Sequence, residues 1–260
     1  MKMHLGTHNV KEFWTTVWKT RNTGWRLGER SAPFTRILFA FLKGAGILSE
    51  EELKKDPYDA VLCFLAGKTV FAPLCGDSAI ISYMVGCRVK RIVGVDLSEQ
   101  ALSLQCQVNF PNVSFKTTRL DPVEGTTGDF VVHEASVGDS RVTFFQGDLL
   151  QLPCFKAYSE LKVEFMYDRA SMMAIPPDIR GAYVQAVTRV FRANTTVAYE
   201  RMVRVLPEER HWGPPFMVDM DEVLQMYRES TGREYRATRV LADEMEGTLC
   251  PEWYAIVPHN

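Results

Sequence analysis

The chain has 260 residues, 24% of them charged and 46% hydrophobic, with a formal net charge of −2. That length suits one sizeable core, and the near-neutral balance excludes the positive field that would hold a nucleic acid. No signal-like apolar opening and no unbroken apolar span is present, which predicts a cytoplasmic protein rather than a membrane one. The six cysteines (Cys63, Cys75, Cys87, Cys106, Cys154 and Cys250) form no C-x-x-C pair and the histidines are dispersed, so neither disulfides nor a metal site is expected.

From the amino terminus, Asn9 to Thr20 reads as an amphipathic helix carrying Phe13, Trp14, Val17 and Trp18, with Asn9 as its cap. Its tryptophans are expected to pack the helix onto the domain. Gly24 and Gly28 frame a loop around Trp25, and Pro33 to Lys43 follows as a second helix with Phe34, Ile37, Leu38 and Phe41 on one stripe. Ser49 to Glu52 has the capping-box pattern of a short helix, and an apolar run over residues 61–67 leads to the first strand.

The stretch from Val70 to Ser98 organises the rest. An apolar strand, Val70 to Ala72, stops at Pro73. The turn Leu74-Cys75-Gly76 then leads to Asp77-Ser78, which can cap a helix. A second strand, Ile92 to Val95, ends on Asp96, twenty residues after Gly76. That spacing puts a carboxylate at the end of an adjacent parallel strand, where it can accept from both hydroxyls of a ribose. The G-x-G-x-x-G of a dinucleotide site is absent, because the next glycine after Gly76 is Gly86. One glycine with an aspartate at the helix start suits adenosine with an amino-acid tail, as in S-adenosylmethionine, better than a pyrophosphate.

Downstream, Leu97-Ser98 opens a helix to about Val108. β-like runs at Val113–Phe115, Phe130–Val132 and Val142–Phe145 are separated by turn residues. Val163 to Asp168 is a core strand with Asp168-Arg169 at its carboxyl end, the edge where ligands gather in an open α/β sheet. Pro177 starts a helix to roughly Arg192, Thr195 to Val205 is a strand, and Pro207 to Phe216 is a rigid loop able to wall a pocket. Asp219 to Ser230 is a helix, and Glu234–Leu241 with Trp253–Val257 closes the sheet as a hairpin-like pair.

VFAPLCGDS followed by IVGVDLS resembles the thiopurine S-methyltransferase family. So, in order, do Gln146-Gly147-Asp148-Leu149 with Leu152-Pro153, Tyr167 to Ala170 with Ala174 to Pro177, and Gly213 to Phe216. Upstream, Trp25 to Gly28 with Pro33-Phe34 is similar to a segment shared with plant and fungal halide and thiol methyltransferases. The resemblance covers nearly the whole chain. It implies a Rossmann-like class I methyltransferase fold of α/β type: a mostly parallel central sheet with helices on both faces and an antiparallel last strand. One domain is expected, with a helical cover over residues 1–67 and a core over 68–260 bearing a hairpin insertion near 113–145.

The same resemblance implies S-adenosylmethionine as cofactor, with Trp25, Phe34, Leu74, Gly76, Asp96, Leu97, Asp148, Leu149 and Arg169 around it. Trp25 and Phe34 would offer ring faces to the sulfonium, and Asp148 would accept from the adenine amine. Arg169 would hold an anionic acceptor or its thiolate, with Asp168 orienting it. The implied acceptor is a small thiol or thiopurine and the implied enzyme a monomer. Two departures bear on the acceptor: Asp77 stands where mammalian-type members commonly carry Lys, and Pro33-Phe34 replaces a Phe-His pairing. A halide or metalloid acceptor and a non-catalytic cofactor-binding protein are the competing readings. A nucleic-acid methyltransferase is disfavoured by the lack of an Asn-Pro-Pro-Tyr tetrad and of a basic stripe.

Overall fold

The computed structural model describes residues 10–20, 31–242 and 248–259. The strands in chain order are β1 (Thr69–Ala72), β2 (Arg91–Asp96), β3 (Lys116–Arg119), β4 (Val131–Val137), β5 (Ser140–Gln146), β6 (Val163–Asp168), β7 (Phe191–Arg204), β8 (Tyr235–Ala242) and β9 (Leu249–Pro258). Among the described residues they form one sheet in the order β3-β4-β5-β2-β1-β6-β7-β9-β8. The five from β5 to β7 are parallel, β3 and β4 add an antiparallel edge, and β9 and β8 run antiparallel at the other end. Chain order reverses at β1, so the crevice that ligands use in such sheets opens beyond its carboxyl end.

Strand alternation sorts the core into two layers. Val70, Ala72, Ile92, Phe144 and Phe165 point to one face, while Phe71, Val93, Val95, Phe145 and Met166 point to the other. On the first face lie α2 (Ser31–Gly44), α3 (Pro57–Leu65) and α4 (Ile80–Gly86); α2 buries Phe34, Ile37, Leu38, Phe41 and Leu42, the stripe its spacing predicts. The second face is covered by α6 (Lys156–Ser159), α7 (Arg180–Thr188) and α8 (Met220–Thr231). The remaining helices, α1 (Val10–Thr20) and α5 (Glu99–Leu104), touch each other near the carboxyl edge. Among the described residues no helix is long and apolar enough to cross a membrane.

Several boundaries depart from the sequence reading for physical reasons. The apolar run before β1 is helical: Asp56 caps α3 through the Tyr58 amide at 2.8 Å, and Pro57 occupies the first turn. The Ser49–Glu52 capping box forms, but it closes only a single tight turn, Glu52–Lys54. The run at Val113–Phe115 is not a strand; β3 starts at Lys116. The insertion is also smaller than expected, because Val142–Phe145 lies in β5, a core strand paired parallel with β2, and only β3 and β4 are added outside it. Helix α5 gives way to a wider π turn over Gln105–Asn109. The Asn9 cap lies outside the described residues.

Candidate active site

The turn after β1 is shaped by two left-handed residues, Leu74 (φ 43°) and Gly76 (φ 51°). The Cys75 amide donates to the Val95 carbonyl at 2.8 Å, continuing the β1–β2 pairing past the strand and bringing the turn to the end of β2. There Asp96, only 7% exposed, accepts from the Gly76 amide at 2.9 Å through Oδ2 and from the Ser98 amide at 2.8 Å through Oδ1. Close approach of the strands depends on Gly94, where a Cβ would lie 2.8 Å from both Cys75 Sγ and the Phe144 ring. Ser98 then caps α5 through the Ala101 amide.

Beside Asp96, the register Asp96↔Gln146 brings the end of β5 level with β2, and the Gly147 amide donates to the Asp96 carbonyl. Asp148 is half-buried and caps its own turn, accepting from the Leu150 amide and Gln151 Nε2. Leu97 and Leu74 are half-buried, whereas Leu149 is in the core. These residues fit an adenosyl ligand. A carboxylate has about four acceptor positions; Asp96 uses two on backbone amides, which leaves capacity for two ribose hydroxyls.

Helix α1 lies across this edge. Trp14 Nε1 donates to the Ala174 carbonyl at 3.3 Å, and a Cβ on Gly76 would come within 2.9 Å of the Trp18 ring. The tryptophans do pack, as expected, but they pack onto the crevice. The signal that could have shown this is the pairing of a helical Trp stripe with a left-handed glycine that leaves room for a ring. Gly76→Ala is therefore expected to cost about 1–2 kcal/mol, through the left-handed backbone and the displaced indole. Thermal unfolding checks it, with a drop of roughly 2–8 °C for a chain of this size.

Across the crevice, β6 ends at Asp168 and the register Asp168↔Tyr199 sets Arg169 beside Glu200 of β7. Arg169 Nε lies 3.7 Å from Glu200 Oε1, and both side chains are largely buried. This corrects the expectation that Asp168 orients Arg169. Asp168 is fully buried and accepts from the Tyr183 hydroxyl at 2.8 Å, so it ties β6 to α7. Glu200 went unnoticed in the sequence because it sits inside a strand with no motif around it. Phe34 is likewise corrected: it is 2% exposed and packs on Tyr83 in the α2–α4 layer. Trp25 lies outside the described residues. The loop following β7 is fastened to its neighbours, with the Phe216 amide donating to the Met173 carbonyl at 2.7 Å, Arg180 Nη2 to the Met217 carbonyl at 2.7 Å and Arg204 Nη2 to the Pro215 carbonyl at 3.1 Å.

The family model of thiopurine S-methyltransferase matches residues 57–251, most of the chain, including the Gly76 turn, Asp96, Asp148 and Arg169 but not α1. The chain belongs to the thiopurine S-methyltransferase family. It is 30% identical over 181 residues to the thiopurine S-methyltransferase of Marinobacter nauticus, covering 68% of this chain and 70% of that one. With the Pseudomonas aeruginosa enzyme of that name (strain UCBPP-PA14) it shares 27% over 221 residues, 83% of this chain and 81% of the other. Solved structures support the fold. The Burkholderia thailandensis 1,6-didemethyltoxoflavin-N1-methyltransferase, with bound 1,6-didemethyltoxoflavin and S-adenosylhomocysteine, superposes with a TM-score of 0.54 at 11% identity, over 100% of this chain and 94% of that one. Magnesium protoporphyrin IX methyltransferase from Synechocystis PCC 6803, with bound S-adenosylmethionine, gives 0.51 at 12% over the whole of both chains. Family and fold together make the chain a methyltransferase of the S-adenosylmethionine-dependent class.

Two carboxyls of this thiopurine S-methyltransferase family member sit above the ordinary aspartate range. Burial pushes both Asp96 and Asp168 up to about 6. The native state then holds more protons than the unfolded chain between roughly pH 4 and 6. The contribution of each group to stability is best below that window, falls as pH rises through it, and is level above. Asp168→Asn, which keeps an acceptor for Tyr183, is expected to stabilise the ligand-free protein at pH 7.5 by on the order of 1–3 kcal/mol. Melting curves at pH 7.5 and 4 check it: the gain should shrink toward pH 4, and an equal gain at both would refute the assignment.

Proposed function

We propose that this enzyme transfers the methyl group of S-adenosylmethionine to a small, soft nucleophile, a thiol or thiopurine. The observation that carries the reading is the enclosure of the carboxyl edge. The turn at Met172–Ala174 is held on one side by Trp14 of α1 and on the other by Phe216 of the proline-rich loop. An edge bounded in this way suits a small acceptor better than a macromolecule.

The cofactor supplies an activated methyl on a sulfonium; the chain supplies position, desolvation and charge. Asp96 would hold the ribose, the Gly76 turn would bring backbone close to the ligand, and Asp148 would accept from the adenine amine. Trp18 covers the turn and keeps water from it. Arg169 receives the acceptor in its anionic form, and Glu200 holds the guanidinium in place while limiting its net charge. An acidic thiol needs no dedicated base under these conditions, since a nearby cation already favours the thiolate.

The test is a labelled-methyl transfer assay with thiophenols, thiopurines, sulfide, halides and metalloid oxyanions. Turnover confined to aromatic or heterocyclic thiols is expected. Turnover of halides or oxyanions alone would replace the acceptor assignment, and S-adenosylhomocysteine binding without any turnover would leave only a cofactor-binding protein.

A further inference from the structure

We propose a second ligand site, for a small anion carrying several phosphate groups, at the amino-terminal edge of the sheet. A cleft of about 310 Å³ opens there, lined by Thr69, Lys90, Arg91, Arg141, Lys162 and Arg192, with Glu160 and Leu161 at its border. Its residues lie at or just before the starts of β1, β2, β5, β6 and β7, so it faces away from the methyl-transfer crevice. Along β2, Arg91 and Asp96 are five residues apart, about 16 Å at strand rise.

The cleft has more positive charge than its surroundings neutralise. Five cations line it against one carboxylate, in a chain whose net charge is −2. Nearby acids are already engaged. Glu134 pairs with both Arg91 and Arg141, at 3.3 and 2.9 Å. Glu164 accepts from the Thr69 amide at 3.0 Å and lies 3.7 Å from Arg192. Glu160 pairs with Lys156. Among the described residues, Lys90 and Lys162 have no carboxylate within 4 Å. Burial, together with the neighbouring Arg141, also holds the Arg91 guanidinium below its ordinary range. An anion there would relieve that crowding.

A multiply charged phosphate matches this chemistry: the Arg91 and Arg141 forks are held by Glu134 and Thr143 and add charge to the cleft wall, while Arg192 can still offer donors and the Lys90 and Lys162 ammonium groups act as point charges. The volume lies at the small end of ligand pockets, which span about 300–1,000 Å³. The positive surface is also interrupted by Glu160 and Glu164 rather than continued as a track, which favours a compact anion over a nucleic-acid strand.

Calorimetric titration of the full chain with inorganic triphosphate at low salt is the test, beside a doubly reversed variant, Lys90→Glu with Lys162→Glu. One saturable site is expected, weakened roughly tenfold or more by the reversals and by added salt. The variant should keep its affinity for S-adenosylhomocysteine, which shows that the fold and the crevice are intact. No saturable binding, or binding unchanged in a variant that still takes S-adenosylhomocysteine, overturns the site. A single-stranded oligonucleotide binding more tightly than triphosphate, with the same sensitivity to the reversals, overturns the small-anion assignment. Because S-adenosylhomocysteine and triphosphate are read separately, failure here leaves the methyl-transfer reading untouched.

Discussion

Replacing Asp96 by alanine is expected to weaken S-adenosylhomocysteine binding by about 2–4 kcal/mol, roughly 30- to 700-fold, from loss of charged hydrogen bonds. The carboxylate is fixed by the Gly76 and Ser98 amides before any ligand arrives, so little ordering entropy opposes its use. Asp96→Asn, able to accept from one amide, separates loss of the ribose contact from collapse of the turn: it should retain the parent's fold and still bind more weakly. The protonation state gives an independent check. With its carboxyl pushed up to about 6 by burial, Asp96 is the poorer acceptor in acid. Affinity should be level above about pH 7 and decline below about pH 6, tenfold per unit at most. Calorimetry between pH 5 and 8 measures this. An affinity indifferent to both substitution and pH would remove Asp96 from the site.

The second large effect is expected at Arg169. Its alanine variant should lose about 10²–10³-fold in kcat with thiol acceptors, the usual scale when one charged stabilising group is removed from a reacting centre. S-adenosylhomocysteine affinity should change by only a few-fold. Removing Arg169 also strips Glu200 of a cation 3.7 Å away, leaving a buried carboxylate less compensated and the acceptor pocket hostile to thiolates. Glu200→Gln is the informative companion. It leaves the guanidinium without its carboxylate, so KM for anionic acceptors should fall while kcat declines through looser positioning. If Arg169→Ala and Glu200→Gln left acceptor kinetics unaltered, the acceptor would have to bind elsewhere.

The crevice was legible where short-range chemistry is decisive. A continuous apolar strand broken by Pro73, a glycine turn and a carboxylate at position 96 occur in many α/β folds, but with the ordered motifs downstream they point to this crevice, and the structure brings Gly76 and Asp96 into direct contact. β6 and α8 were equally plain, bounded by Asp168 and by the Asp219 cap. What escaped depends on tertiary neighbours. The apolar segment of α3 is too short for periodicity to separate helix from strand. Phe34 offers the same ring whether it faces a ligand or Tyr83. Glu200 acquires its meaning only from the β6–β7 register, and Asp168 meets Tyr183 because strand alternation turns it, like Met166, to the face that α7 covers.

The seat of α2 on β8 has a consequence for biogenesis. Gly44 lies so close to Val240 that a side chain there would collide with it, and Arg236 Nη2 reaches the Ala45 carbonyl at 2.9 Å across 191 residues of sequence. During translation the early helix can meet α3 and α4 first, through Phe41–Phe64 and Phe34–Tyr83, but its carboxyl end is seated only after β8 has left the ribosome. Nascent chains stalled before β8 and β9 would leave β7 as an open sheet edge, so premature termination should yield aggregation-prone products rather than a weakened enzyme.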